Sequence, residues 1–366
     1  MTKNNYYFNE KQRKQLLEKK IASAQDSLYD KLINIDTSLL NISEYNQRYL
    51  GNKIYSKLKN ELLKYGRLLN FALKDFEIPL EKFVLVDYGG GIGVISFLAS
   101  EMGIGTVIYN DIYDVSCEDV VNTSKSLGLK LDHIVCGDVD DLVSYIRSNS
   151  ISVNALVSYD VIEHIYDVQS HFEKLRGICD DQLRIVYASG ANIANPLIVQ
   201  PLKKKQLEYE YKDREKKFGH KDRDSLKSYF DIRKSLITAY APNLGREQID
   251  KLALNTRGLI QQDIEKCVDE FLQHGYISYC PDHPTNTCDP YTGNWCEHLM
   301  DHEWLKMILR NQGYAIQIIP GFYGICDGNF MMRSAKIFLN TLMRLSEKNA
   351  LLFANHYFVY ANIFSE

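Results

Sequence analysis

A glycine-rich stretch near residue 90 constrains the fold of this chain more than any other feature. Residues 84–93 run Val-Leu-Val-Asp-Tyr-Gly-Gly-Gly-Ile-Gly, which predicts a short apolar strand, a sharp turn and a helix that begins near Val94. Glycines are needed where the backbone turns tightly and approaches a ligand, because a Cβ would clash there. The helix directs unpaired N–H groups and its positive dipole end over the turn. A carboxylate or phosphate is therefore the expected guest.

The spacing of the glycines narrows the ligand. A dinucleotide fingerprint, G-x-G-x-x-G, would require glycine at position 94, where the chain has Val94. The sequence instead contains D-x-G-x-G-x-G, formed by Asp87, Gly89, Gly91 and Gly93. This pattern resembles motif I of the class I S-adenosylmethionine-dependent methyltransferases. For the glycines taken alone, a tight turn without a ligand is the alternative.

Acidic residues also follow the next two predicted strands, at 106–111 and 132–136. A carboxylate at the end of the second strand accepts hydrogen bonds from ribose hydroxyls in such folds, which is the role expected for Asp111. Ile112, the next residue, is also predicted to contact the cofactor. The resemblance assigns Asp138 to the adenine amino group and places Val139 beside the ring.

The fourth predicted strand, 153–159, ends in Tyr159, a further predicted cofactor contact. Residues 160–164, Asp-Val-Ile-Glu-His, resemble the D-x-x-E-H segment that follows strand four in many small-molecule methyltransferases. In that family the segment covers the side of the cofactor to which the transferable methyl points. Four such segments occur in order over residues 83–192. They imply the methyltransferase fold and S-adenosylmethionine as cofactor.

The remaining chain predicts how this sheet is flanked. Apolar stripes at helical spacing over 8–35 and 54–69 predict a helical cap in residues 1–75. Helices of this kind often close over the cofactor in the superfamily, and Tyr45 and Arg48 are the candidates to contact its methionine carboxylate. An ordinary surface arginine is the alternative for Arg48.

The expected fold is α/β, with a Rossmann-like seven-stranded methyltransferase sheet built from residues 76–192 and 300–366. Residues 193–299 are predicted to form a large, mostly helical insertion after strand five, which acts as a lid on the substrate side. The resemblance implies that the final strand, 356–363, lies antiparallel beside strand six, 314–319.

The predicted chemistry needs a base rather than a metal. A sulfonium methyl is already activated, but a hydroxyl acceptor must lose its proton near it. His164 is the first candidate base; alternatively it bonds a backbone carbonyl and orients the turn. Glu297 and His298, which precede a predicted helix at the cleft mouth, are the second candidates. For His298 and His302 the alternative is packing along the stripe that continues through Leu305.

No metal is predicted, although the region 280–302 makes zinc an alternative. It contains two histidines at i, i+4 spacing, but its cysteines lack the paired C-x2-C arrangement of zinc sites. The residues concerned are Cys280, His283, Cys288, Cys296, His298 and His302.

Composition bears on partners and compartment. A net charge of −4 gives no overall attraction to nucleic acid or to anionic membranes, and no apolar run reaches the length of a membrane span.

Residues 203–234 contain 12 Lys/Arg, but the 7 interleaved Asp/Glu favour a solvated helix over a nucleic-acid surface. Alternatively, a few of these basic residues meet a phosphate-bearing substrate such as a nucleotide sugar. The eight cysteines show no spacing typical of a disulfide framework, which predicts that the protein is located in the reducing cytoplasm.

The predicted function is transfer of a methyl group to a small polar acceptor. A hydroxyl on a sugar, sugar-nucleotide or natural-product intermediate is preferred, because histidines favour oxygen over carbon as the nucleophile. The alternatives are N-methylation of an amine or protein side chain, and a cofactor-binding partner protein without turnover. No N-P-P-[YF] segment follows strand four, which argues against a nucleic-acid substrate. The oligomeric state is not readable from the sequence.

Overall fold

The computed structural model describes residues 10–51, 55–180, 182–215 and 223–364. Within these ranges one sheet of seven strands forms the centre of the molecule. The strands are β1 Val84–Tyr88, β2 Thr106–Asp111, β3 His133–Cys136, β4 Ala155–Tyr159, β5 Gln182–Ser189, β6 Ala315–Pro320 and β7 Tyr357–Phe364. Their order in the sheet is β3-β2-β1-β4-β5-β7-β6. The pairs among β1 to β5 are parallel, and β7 is antiparallel to both β5 and β6.

This topology confirms the predicted fold, including the antiparallel final strand beside strand six. The parallel strands β1, β2, β4 and β5 were predictable because strands buried on both faces carry nearly continuous apolar runs. In β5, for example, every residue after Gln182 is buried. The order of strands reverses between β1 and β4, and ligands of open α/β sheets bind in the crevice at such a reversal.

Helices cover both faces of the sheet. The helices are α1 Glu10–Asn34, α2 Glu44–Tyr49, α3 Leu58–Leu73, α4 Val94–Glu101, α5 Asp114–Leu127, α6 Val139–Ser148, α7 Val168–Leu175, α8 Pro196–Tyr211, α9 Tyr229–Tyr240, α10 Arg246–Asn255, α11 Gln261–His274, α12 His302–Asn311 and α13 Phe330–Leu345. Apolar side chains of α1, α3, α4 and α5 form the core on one face. Those of α6, α7 and α12 form the core on the other.

Polar contacts fix the N-terminal helices to one another and to α5. Gln25 of α1 donates to the carbonyl of Leu62 in α3 at 2.6 Å. The side chain of Asn46 in α2 donates to Asp119 of α5 at 2.7 Å, and the Ser43 N–H does so at 2.9 Å. These contacts hold α2 at the carboxyl edge of the sheet. Of the predicted second helix, Ile54 lies outside the described residues.

The segment after β5 is rich in helix, as predicted, with α8 to α11 followed by an irregular stretch up to α12. Helices α9, α10 and α11 share a separate apolar core, which includes Ile237, Leu252, Ile264 and Val268. None of the described helices combines the length and the apolar character that a membrane crossing requires.

Candidate active site

The turn after β1 lies at the carboxyl edge of the sheet, and hydrogen bonds to β2 fix its shape. The Gly91 N–H donates to Asp111 Oδ2 at 2.8 Å, and the Gly91 carbonyl accepts from the Tyr109 hydroxyl. Gly91 has φ +56°, which L residues adopt only with strain, yet a Cβ placed there would meet no atom within 4 Å. The turn therefore leaves open space above its backbone, as close approach of a ligand requires.

Asp87, at the end of β1, is a buried carboxylate with one oxygen still available. Its Oδ2 accepts from the Ser96 N–H at 3.0 Å and from the Ser96 hydroxyl at 2.7 Å. Its Oδ1 is buried and has no hydrogen-bond partner among the described residues. Burial raises the pKa of Asp87 to about 7, and the nearby charge of Asp111 adds to this. A cationic or hydrogen-bond-donating ligand beside the turn would relieve this cost.

Asp111 joins the turn to the loop after β2. Its Oδ2 holds Gly91, while its Oδ1 accepts from the Tyr113 N–H at 2.8 Å. Ile112 follows with an exposed apolar side chain. Each carboxylate oxygen has two lone pairs, so Asp111 retains capacity to accept further hydrogen bonds, for example from hydroxyl groups.

Asp138 is exposed and caps helix α6. It accepts from the Asp140 N–H at 2.8 Å, while the Asp141 side chain accepts from its N–H at 3.0 Å. Val139 beside it is buried. The structure thus places Asp87 and Asp111 at the carboxyl ends of β1 and β2, and Asp138 just after β3. These three strands are neighbours in the sheet, so the predicted series lies along one edge.

The N-terminal cap brings Tyr45, and not Arg48, towards this edge. The Tyr45 ring meets the Tyr113 ring edge-on, with centroids 5.9 Å apart. Burial and then the charge of Asp111 raise the pKa of Tyr45 to about 12, with smaller contributions from Tyr113 and Asp224. Arg48 is exposed and pairs with Glu44 on the same helix. Its arrangement matches the surface alternative.

The loop after β4 carries a buried acid. Asp160 has φ +55°, a strained conformation for a residue other than glycine. Glu163 is buried; its Oε1 accepts from the Gly190 N–H at 3.3 Å, and its Oε2 has no hydrogen-bond partner among the described residues. Burial raises the pKa of Glu163 well above its usual value, and the charges of Asp160 and Glu297 add to this. Tyr159, which precedes this loop, packs edge-on against Tyr65 at 5.2 Å.

Two candidate segments that are far apart in the sequence meet at this loop. His164 Nδ1 donates to the Trp295 carbonyl at 2.8 Å, and the His298 N–H donates to the Glu163 carbonyl at 3.0 Å. Because a carbonyl only accepts, Nδ1 of His164 carries a proton, and in the neutral ring Nε2 carries the lone pair. A bond from His164 to a backbone carbonyl is what we expected from the sequence if this histidine only orients the turn. The same bond also fixes the tautomer in which Nε2 can act as a base.

The other candidate residues of this segment have side-chain partners. Glu297, at φ +58°, pairs with Lys205 Nζ at 2.8 Å. The His298 ring stacks on Trp295, with centroids 4.0 Å apart and planes at 12°, and its Nε2 lies 2.8 Å from Asp282 Oδ2. Its buried Nδ1 has no hydrogen-bond partner among the described residues.

Sequence reasoning missed Asp282 and Trp295, since no motif or periodicity marks either residue. Burial alone would raise the pKa of Asp282, but the hydrogen bond and charge of His298 hold it below its usual value. His302, by contrast, packs on the Tyr357 ring at 4.5 Å, and burial lowers its pKa to about 4. That environment matches the packing alternative for His302.

The structure offers no set of ligands for the alternative zinc site in the part of the chain that it describes. There, no group of three His, Cys, Asp or Glu side chains is placed to hold a metal ion. Cys280 is exposed, whereas Cys288 and Cys296 are buried, and burial raises the pKa of the Cys296 thiol to about 12.

Comparisons with known proteins give only distant similarities. No family model and no curated protein matches this chain. Among solved structures, the CurJ carbon methyltransferase is 8% identical over 98% of this chain and 72% of its own, with a TM-score of 0.42. The plantazolicin methyltransferase BpumL in complex with SAH is 10% identical over 98% and 99%, with a TM-score of 0.37. A methyltransferase from Mesorhizobium loti, titled S-adenosylmethionine dependent, is 13% identical over 78% and 93%, with a TM-score of 0.33. Superpositions this loose carry no weight for the fold, which rests on the strand order of this chain.

Proposed function

We propose that this chain is an S-adenosylmethionine-dependent methyltransferase that acts on a small polar acceptor. The observation that carries the proposal is the D-x-G-x-G-x-G turn, whose Gly91 N–H is held by Asp111 where the strand order reverses. Acids after β1, β2 and β3 stand along the same edge. The D-x-x-E-H segment after β4 lies on the other side of the same reversal.

The residues present fit the cofactor. Open space above Gly91 admits it to the backbone, and the buried, unpartnered Oδ1 of Asp87 offers an acceptor below it. Asp111 and Asp138 would hold the ribose hydroxyls and the adenine amino group, with Ile112 and Val139 against the ring. Tyr45 would lie at the methionine end. When bound, the sulfonium supplies an electrophilic methyl group, and the protein positions the acceptor and excludes water.

O-methylation is the first candidate reaction. The Trp295 carbonyl holds the His164 proton on Nδ1, so Nε2 has the lone pair that takes a proton from an acceptor hydroxyl. A sugar, sugar-nucleotide or natural-product hydroxyl is the preferred acceptor, and residues 193–299 serve as the lid that encloses it. A cytoplasmic location, with the cysteines reduced, belongs to the same proposal.

N-methylation is the second candidate, favoured by the acids near β4 and β5. Glu163 bonds the Gly190 N–H, and Asp160 Oδ1 lies 3.7 Å from the position of a Cβ on Gly190. A negative charge on Asp160 at this place would attract an amine acceptor. Amine and hydroxyl acceptors therefore belong in one assay.

The test has two stages. Calorimetry with S-adenosylhomocysteine should show binding at one site; no binding would overturn the cofactor assignment. Methyl transfer from S-adenosylmethionine is then measured on a panel of phenolic, sugar-nucleotide and amine acceptors. Loss of a general base costs roughly a hundredfold or more in rate, so His164→Ala should reduce hydroxyl methylation by that factor and spare cofactor binding.

His274→Ala is the matched control, because His274 is exposed on α11 and should be replaceable without effect. An unchanged rate in His164→Ala would remove His164 as the base. Turnover on amines alone would favour the second candidate. Cofactor binding without turnover on any acceptor would favour a binding protein that lacks catalysis.

A further inference from the structure

Helix α13, between β6 and β7, leaves an unusual amount of apolar surface uncovered. Phe330 is 84% exposed, Met331 80%, Leu345 78% and Phe338 63%. In this described helix, Met343 alone is buried. Uncovered apolar surface on this scale marks an interaction site rather than scattered surface residues.

The apolar side chains form one face. At 100° per residue, Phe330, Ile337, Phe338 and Leu345 lie within one arc of the helix. The opposite side holds the helix to the protein: Met343 packs with Ala350 and Ala354. Asn340 bonds both the N–H and the carbonyl of Tyr323, at 2.8 and 2.9 Å. The helix is therefore anchored along one side and open along the other.

The charge of the helix is of one sign. Phe330–Leu345 contains Arg333, Lys336 and Arg344 and no acidic residue. Lys336 is paired with Asp327 on the anchored side. Helical geometry places Arg333 and Arg344 together along one border of the apolar face, where their stems lie on apolar surface while their guanidinium groups reach outwards.

We propose that α13 docks the protein on an anionic phospholipid surface. The helix lies in the plane of the interface, with Phe330, Phe338 and Leu345 among the headgroups and the two arginines on lipid phosphates. The overall charge of −4 favoured no membrane partner, but this face alone is positive and apolar. The proposal is independent of the methyltransferase activity.

The structure argues against two other occupants of this face. In a symmetric pair, a second copy of the chain would set arginines of like charge along one interface. An acidic partner helix usually docks in a groove, whereas α13 presents a convex face, which suits a flat bilayer.

The test is sedimentation of the full chain with vesicles of phosphatidylcholine alone or mixed with phosphatidylglycerol. The protein should bind the mixed vesicles and not the neutral ones. Ile337→Ser combined with Phe338→Ser should weaken this binding at least about tenfold, because the apolar face is lost. Arg333→Gln combined with Arg344→Gln should weaken it about fivefold per arginine and remove most of its salt dependence.

Leu197→Ser is the matched control, since Leu197 is 78% exposed on α8, as Leu345 is on α13. It should bind vesicles as the unaltered chain does. Circular dichroism and S-adenosylhomocysteine binding report whether each variant is folded. Equal binding to both vesicle types, or none, would overturn the proposal. The proposal would also be overturned if light scattering showed the unaltered chain to be a dimer and the Ile337→Ser, Phe338→Ser double variant to be a monomer.

Discussion

Asp87 combines complete burial with a carboxylate, and this has a measurable consequence for stability. In the unfolded chain its pKa is the ordinary 3.8, whereas burial raises the pKa in the folded protein to about 7. Between these two values the folded state binds the proton more tightly than the unfolded state. The contribution of Asp87 to stability is therefore full below the lower value and decreases as the pH rises through the window.

We expect Asp87→Asn to remove this part of the pH dependence. Three units of pKa correspond to about 4 kcal/mol at most, so the variant should gain stability relative to wild type as the pH rises from 4 to 7. Urea unfolding of both proteins across that window measures the difference. A constant difference in unfolding free energy at every pH would contradict the raised pKa. Ser96→Ala, which removes a hydrogen bond to the same oxygen at 2.7 Å, is the control for lost bonding.

At the level of single residues, the sequence predicted the acids of the site but not their partners. Asp87, Asp111 and Asp138 follow strands and belong to a motif series, so their position along one edge followed from strand order. The placement of Tyr45 and Arg48 depends on the rotation of a six-residue helix, which no pattern in the sequence determines. The hydrogen bond between Asp282 and His298 joins two residues of the irregular stretch before α12, where the sequence has no periodic pattern that could predict it.

At the level of elements, the turn after β1 allows a test of ligand approach. Gly91 has φ +56° and Gly103 has φ +76°, and a Cβ at either position would meet no atom within 4 Å. Alanine at either position should cost about 1–2 kcal/mol of stability through backbone strain alone. Only at Gly91 would the added methyl also occupy the space that the proposed cofactor needs.

Gly91→Ala should therefore lose at least about tenfold in S-adenosylhomocysteine affinity, or about 1.4 kcal/mol, while Gly103→Ala keeps it. Calorimetry measures the affinity, and thermal unfolding measures the strain that the two variants share. Equal affinities in both variants would show that the cofactor does not approach the turn at Gly91.

At the scale of the whole molecule, the sequence predicted a seven-stranded sheet with its final strand antiparallel beside strand six, but not the assembly of the substrate side. Parallel strands have strong local signals, and their connections are constrained by topology. The contact between His164 and Trp295 joins residues 131 positions apart. Such a contact depends on how the helices after β5 pack against the edge of the sheet. Helical periodicity within that segment does not predict how these helices are oriented relative to the sheet.

A buried ion pair holds these helices in place. Arg233 of α9 and Glu210 of α8 are both fully buried and paired. Arg233 Nε also donates to the Ala253 carbonyl in α10 at 2.9 Å, and Glu210 accepts from the Thr287 hydroxyl at 2.7 Å. The Thr287 carbonyl in turn accepts from the Cys296 N–H at 2.9 Å, next to Glu297. The network therefore links the helical segment to the loop that carries the candidate catalytic residues.

Arg233→Met should destabilise the protein by about 3–5 kcal/mol, because it leaves the Glu210 carboxylate buried with weaker compensation. Adding Glu210→Met should recover much of this loss, since a buried pair is often replaced by apolar side chains at little cost. Urea unfolding of the single and double variants measures both steps. Calorimetry should find S-adenosylhomocysteine affinity unchanged in the double variant, because Gly91 and Asp111 belong to the sheet edge. A double variant no more stable than Arg233→Met would contradict the role of the pair, and lost affinity would show that the network also supports the cofactor turn.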